Sequence, residues 1–218
     1  MVGIVFYKEI GEIQKLVEVV GKNIEAIERL HNRAIVGVGR DETARINRNL
    51  DALQKETNGM LSDARQRLQH LSNETKRVNG AEAKQRKAQQ ATVAKKLMKV
   101  AQYYQKVQES YKRKYRERME REIRIARPDA SREQIERAMD SREGPIFAQE
   151  MLSSRIGEQR RALEEVQGRH QELLRMEESI EQLAQLFQDM QLLIDVSQST
   201  FFSLFVNSNN STNLFIGI

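Results

Sequence analysis

The sequence predicts an all-α protein: an antiparallel three-helix up-down-up bundle, then a linker, then a long coiled-coil helix. Three observations lead there. Charged residues make up 31% and aromatics 6% of the 218-residue chain, with two prolines and no tryptophan, which is a helical and heavily solvated composition. Four long stretches carry mostly apolar residues at steps of three and four, the spacing that collects them on one helix face. Gly37 with Gly39, Asn79 with Gly80, and Pro128 fall between those stretches, where a turn is needed.

The first helix is expected over residues 6–35, with Phe6, Ile10, Ile13, Val17, Val20, Ile24 and Ile27 as its apolar stripe. Its opposite face carries Lys15, Glu18, Lys22, Glu25 and Arg29, and is solvated. Asp41 is a suitable N-cap for the second helix, expected over residues 42–78. That helix's stripe is Ile46, Leu50, Leu53, Thr57, Met60, Ala64, Leu68 and Leu71. The third helix is expected over residues 81–126, along Val93, Leu97, Val100, Tyr104, Val107, Tyr111, Tyr115, Met119 and Ile123. Pro128 ends it, because a proline disfavours helical geometry in the residue before it. Short links and one stripe per helix favour an antiparallel bundle over residues 1–127. Between Lys84 and Arg127, 15 lysines and arginines face 4 glutamates, a net charge of +11.

Residues 128–154 read as a linker containing a short helix, because Ser131 and Gln134 have capping-box spacing. Gly144-Pro145 is a turn, followed by the apolar pair Ile146 and Phe147. Read locally, the segment is either a regulatory element or a tether with two buried anchors. The final helix is expected over residues 155–194, with Ile156, Leu163, Val166 and His170 leading into a sharper stripe: Leu173, Met176, Ile180, Leu183, Phe187, Met190 and Ile194. The steps alternate three and four throughout, the 3.5-residue period of a coiled-coil seam. A helix with such a stripe needs partner helices.

The residues of that last stretch, HQELLRMEESIEQLAQLFQDM, resemble the SNARE motif of the syntaxin family, the plasma-membrane Qa-SNARE type. The likeness rests on His170, the run from Met176 to Leu183, and the Phe187-Gln188-Asp189-Met190 box. Gln85 to Thr92 with Lys96, and Tyr104 with Gln108, Tyr111 and Arg113, look like the third helix of that family's regulatory bundle, called Habc. The resemblance covers roughly residues 6–195. It implies a SNAP receptor that docks and fuses secretory vesicles at a target membrane through coiled-coil assembly, autoregulated by its bundle. The seven seam residues would be interface layers with a Qbc-type light chain and an R-type vesicle SNARE, and an SM-family protein would be a regulator. Met139, Asp140, Ile146 and Phe147 would hold the closed state. The implied location is the cytoplasmic face of the plasma membrane.

The resemblance stops after Ile194. The family's central layer calls for a buried glutamine three positions on, but Ser197 stands there and Gln198 comes one residue late. A one-residue offset turns a helical side chain by about 100°. Residues 155–196 thus correspond to the N-terminal half of the motif. Residues 197–218 form an atypical Ser/Asn/Phe-rich tail, in which Asn207 to Asn213 reads as turn-rich. This form, without an apolar anchor stretch, is expected to be cytosolic or peripheral, to touch the target membrane only indirectly, and not to drive fusion by itself.

Several classes are disfavoured. The chain has no cysteine, hence no thiol nucleophile, disulfide or zinc–thiolate site. It shows no Gly-rich phosphate loop. His31, His70 and His170 lie far apart without a second ligand at i+3 or i+4, and are expected on helix surfaces or edges. No enzyme activity, cofactor, metal or small-molecule substrate is expected. Two alternatives compete: a helical membrane-remodelling scaffold with basic faces, and a nucleic-acid binder using the basic third helix.

Overall fold

The computed structural model describes residues 2–36, 40–140 and 157–212, and all regular structure among them is helical. Helix α1 spans Val2–Val36, α2 Arg40–Thr75, α3 Gly80–Ala126, α4 Arg132–Asp140 and α5 Gly157–Thr212. The first three form the expected up-down-up bundle. Every residue of the α1 stripe from Phe6 to Ile27 is buried. So are Ile46, Leu50, Thr57, Ala64, Leu68 and Leu71 of α2, and all of the α3 stripe except half-buried Val100.

The links follow from local chemistry. Residues 37–39, with their two glycines, lie outside the described residues. Gly80 turns the chain into α3 at φ 72°, a left-handed conformation that a Cβ would strain. At α4 the capping box forms as its spacing requires: the Gln134 amide donates to Ser131 Oγ at 3.3 Å, and the Ser131 amide donates to Gln134 Oε1 at 2.8 Å. Ile135, Ala138 and Met139 then bury α4 against α3.

Three expectations need correction. First, α1 begins at Val2, and α2 ends at Thr75 instead of continuing to residue 78. Second, α5 does not stop near Ile194 but runs helically to Thr212. Serine and asparagine are poor helix formers, yet residues 197–212 contain neither proline nor glycine, and propagating an existing helix costs far less than nucleating one. Third, His31 is not at a surface or edge. It is fully buried, stacked on Tyr111 with ring centroids 4.7 Å apart, and its Nδ1 lies 3.2 Å from the Tyr115 hydroxyl. Burial, reinforced by the Lys114 charge, depresses its pKa from 6.5 to about 3.

Leu97 is fully buried in the core, and Leu97→Ala should lower the unfolding free energy by roughly 2–5 kcal/mol, read by urea denaturation. His31 gives a pH signature. Between pH 6.5 and about 3 the unfolded chain binds a proton at this site that the native chain refuses, so stability falls as pH drops through that window. The contribution to the slope should reach up to about 1.4 kcal/mol per pH unit and be missing in His31→Gln. Identical slopes for the two proteins would show that His31 is not held neutral.

Candidate functional site

The seam helix is docked. α5 runs antiparallel to α3 and parallel to α2, as cross-helix pairs in order along the chain show: Gln54 with Glu172, Asn58 with Ser179, and Arg65 with Asp189. Most of its contacts are with α3 and fewer with α2. Of the seam residues, Leu173, Met176, Leu183, Met190 and Ile194 are buried, each burial contributing about 1.5–3 kcal/mol of hydrophobic stabilisation. Ile180 and Phe187 are half-buried, whereas their chain neighbours Ser179 and Leu186 are 1% and 3% exposed. The helix is therefore turned slightly away from a symmetric seam. It lies in the groove between two helices of unequal reach, and the α3 side dominates the fit.

A polar band lines the α2 side of this apolar strip. Gln54 Nε2 donates to Glu172 Oε1 at 3.1 Å, and Arg175 Nη1 reaches Glu172 Oε2 at 2.9 Å. Arg175 Nε also lies 3.2 Å from Asp51 Oδ1. Asn58 Nδ2 donates to Ser179 Oγ at 2.9 Å. Asp189 Oδ2 accepts from Arg65 Nη1 at 3.0 Å and from Gln69 Nε2 at 2.9 Å. On the α3 side, Lys112 Nζ sits 2.7 Å from Glu177 Oε1. Burial raises the Glu172 carboxyl above its usual range, with Arg175 opposing, and pushes the Tyr104 hydroxyl up to about 12. A cleft of about 780 Å³ remains between α2 and α5, bordered by the small residues Gly59, Ser62 and Ser179. Packing is thus close on α3 and looser on α2.

The hydrophobic pattern located the seam but not this band. Gln54, Asn58, Leu61, Arg65 and Gln69 recur at helical spacing as a second α2 face, and Glu172, Arg175, Ser179 and Asp189 do the same beside the seam. The signal is a regular stripe of amides and charges, which a search for apolar periodicity passes over. His170, expected at a surface or edge, is 3% exposed in the docked face, and neither ring nitrogen has a hydrogen-bond partner.

Of the linker residues, Met139 is 8% exposed and anchors α4. Asp140 is the last residue of α4. Ile146 and Phe147 lie outside the described residues, so only the α4 pair is placed near the bundle. The nucleic-acid reading loses its stacking platform, since Tyr104, Tyr111 and Tyr115 are core residues and exposed Tyr103 bonds Glu28 through its hydroxyl at 2.8 Å. Among the described residues no cluster of His, Asp or Glu could hold a metal ion, and no helix is long and apolar enough to cross a membrane.

Comparison with known proteins agrees with this architecture. A family model described as Syntaxin matches residues 4–151. Syntaxin-like protein psy1 of Schizosaccharomyces pombe is 31% identical over 192 residues, covering 87% of this chain and 68% of that protein. Protein SSO1 of Saccharomyces cerevisiae is 31% identical over 193 residues, covering 87% of this chain and 64% of that protein. Among solved structures, a chain of the Unc18–syntaxin 1 complex from Monosiga brevicollis matches with a TM-score of 0.69. It is 22% identical, and the match covers 88% of this chain and 82% of that one, a likeness of fold.

The Asp189 clasp should be measurable. Asp189→Ala removes the acceptor shared by Arg65 and Gln69, and should weaken docking by about 1–3 kcal/mol. Amide hydrogen exchange in residues 170–195 should speed up accordingly while the α1–α3 core keeps its protection. His170→Leu, which replaces a buried unsatisfied ring with an apolar group, should slow exchange in the same segment.

Proposed function

The chain belongs to the syntaxin family, and from that premise we propose that it acts as a Qa-type SNAP receptor in vesicle docking and fusion at the plasma membrane. Leu173, Met176, Ile180, Leu183, Phe187, Met190 and Ile194 supply successive layers of a four-helix coiled coil. A Qbc-type light chain and an R-type vesicle SNARE provide the other helices. The protein's work is mechanical and regulatory, with no covalent chemistry of its own.

One observation carries this reading. Five of those seven residues are buried in the groove formed by α2 and α3, and the other two are half-buried there. One helix face cannot occupy that groove and a four-helix seam together, so docking and assembly exclude each other. The bundle is therefore an autoinhibitory partner for α5, and opening is the regulated step. An SM-family protein that grips the docked form would set the opening rate, a role supported by the fold shared with the syntaxin of the Unc18 complex. Met139 and Asp140, with Ile146 and Phe147, hold the linker in the closed arrangement; the burial of Met139 against α3 supports the first part of that assignment.

Rates of assembly test the proposal. Arg65→Glu places a carboxylate against Asp189 and should open α5 without touching any seam residue. A shift of about 1.4 kcal/mol in the docking equilibrium raises the open population tenfold. Formation of a heat-resistant complex with the light chain and the vesicle SNARE should then be faster by roughly that factor. Unchanged rates, alongside confirmed loss of docking by hydrogen exchange, would refute autoinhibition. Absence of any complex with either protein would refute the receptor assignment.

A further inference from the structure

One end of the bundle combines exposed apolar and basic side chains. Arg86 lies over the Phe6 ring at 4.9 Å, a Cβ on Gly21 would sit 3.6 Å from Val100 Cγ2, and Tyr103 bonds Glu28. These pairs show α1 and α3 side by side and parallel, with Ile4 level with Lys84. At that end Ile4 is 76% exposed, Val5 65% and Tyr7 40%. Beside them, α3 contains no Asp or Glu from Ala83 to Gln108. In that stretch Lys84, Lys95 and Lys106 recur at steps of eleven residues, three full turns, so they form a line along one face with Lys99 close to it. All four are exposed, as are Lys76 and Arg77 in the α2–α3 turn. The acidic groups nearby are partly spoken for: Glu82 holds Arg86 at 2.5 Å, and Glu9 and Glu12 both bond Arg67; Glu74 is exposed.

We infer that this end, with Ile4, Val5 and Tyr7 at its tip and the Lys84–Lys95–Lys99–Lys106 line along its side, is a peripheral docking surface for a bilayer rich in anionic lipids. The charge pattern selects a negatively charged partner. The apolar tip selects a bilayer over a polyphosphate chain, because aliphatic side chains gain by entering the headgroup–acyl boundary and gain nothing from a phosphate. The two features add, since surface binding scales with buried apolar area plus electrostatic attraction to anionic lipids. This surface lies apart from the α2–α5 side of the groove, so bilayer contact is compatible with α5 docked. The inference does not depend on the receptor assignment.

Vesicle co-sedimentation of the full chain tests it. Phosphatidylcholine vesicles containing roughly 30% phosphatidylserine should bind the protein, pure phosphatidylcholine vesicles should not, and binding should fall steeply with salt. Lys84→Glu with Lys95→Glu should weaken binding at least about 25-fold, from a factor near five for each lysine. Ile4→Ser with Val5→Ser, which alters only exposed positions, should weaken it several-fold with an unchanged circular dichroism melt. Arg132→Glu, an exposed position on α4 at the other end of α3, should leave binding unaltered. Equal binding to both vesicle types would overturn the inference, as would indifference to the lysine pair. So would RNA binding of equal strength that survives the Ile4 and Val5 changes, which would make the stripe a polyanion site.

Discussion

The structure depends on one constraint: the apolar seam of α5 cannot stay in water. Leu173, Met176, Leu183, Met190 and Ile194 stand on one side of a helix that cannot bury them by itself. The three-helix bundle answers with a groove between α2 and α3, and much of its own design follows from having to provide one. α3 is buried on two sides, packing Val93, Leu97 and Tyr111 among its bundle neighbours while its other face receives α5. Its 47-residue length gives a seam of this extent something to lie against.

The interface combines apolar contact with polar groups that suit the release proposed above. Its apolar strip is flanked by Gln54, Asn58, Arg65 and Gln69, groups that water can satisfy as readily as α5 does once the helix leaves. Hydrogen bonds exchanged for water in this way contribute specificity and register more than net stability. The unsatisfied ring of His170 and the cleft beside Gly59 act in the same direction, holding the docked state below the affinity an all-apolar groove would reach. Along α1 the bundle core is closed over seven successive buried stripe residues, and its own compromise is confined to Asn23 Nδ2 and His31 Nε2, which lack partners. On the proposed autoinhibited reading, two tiers of stability are expected, a firm bundle and a helix that leaves it on assembly.

Most of the architecture was legible in the sequence because it is written in apolar periodicity. The α1 and α3 stripes needed only steps of three and four, and the Ser131–Gln134 box announced α4 directly. What stayed hidden was carried by polar residues. The α2 face from Gln54 to Gln69 repeats as regularly as any apolar stripe, yet amides and charges read as solvated surface unless a partner helix is known to lie opposite. His31 and His170 were misplaced for the same reason: a lone histidine on a helix gives no sign of which neighbours will enclose it. The continuation of α5 to Thr212 was missed because composition weighed more than the absence of a breaker. The turn of α5 that buries Ser179 and Leu186 ahead of Ile180 and Phe187 depends on two other helices and could not be read from α5 alone.

The central claim is that docking and coiled-coil assembly compete for one face of α5. The most direct measurement uses a covalent lock. The chain has no cysteine, so Asn58→Cys with Ser179→Cys introduces a single pair where the native side chains meet at 2.9 Å. That pair can be closed with a short bis-methanethiosulfonate crosslinker, which forms a disulfide to each thiol with loss of methanesulfinate. Locked protein should form no heat-resistant complex with the light chain and vesicle SNARE, and reductive release of the lock should restore assembly. Assembly of the locked protein at the unlocked rate would contradict the account, because α5 would then be free to pair while still held in its groove.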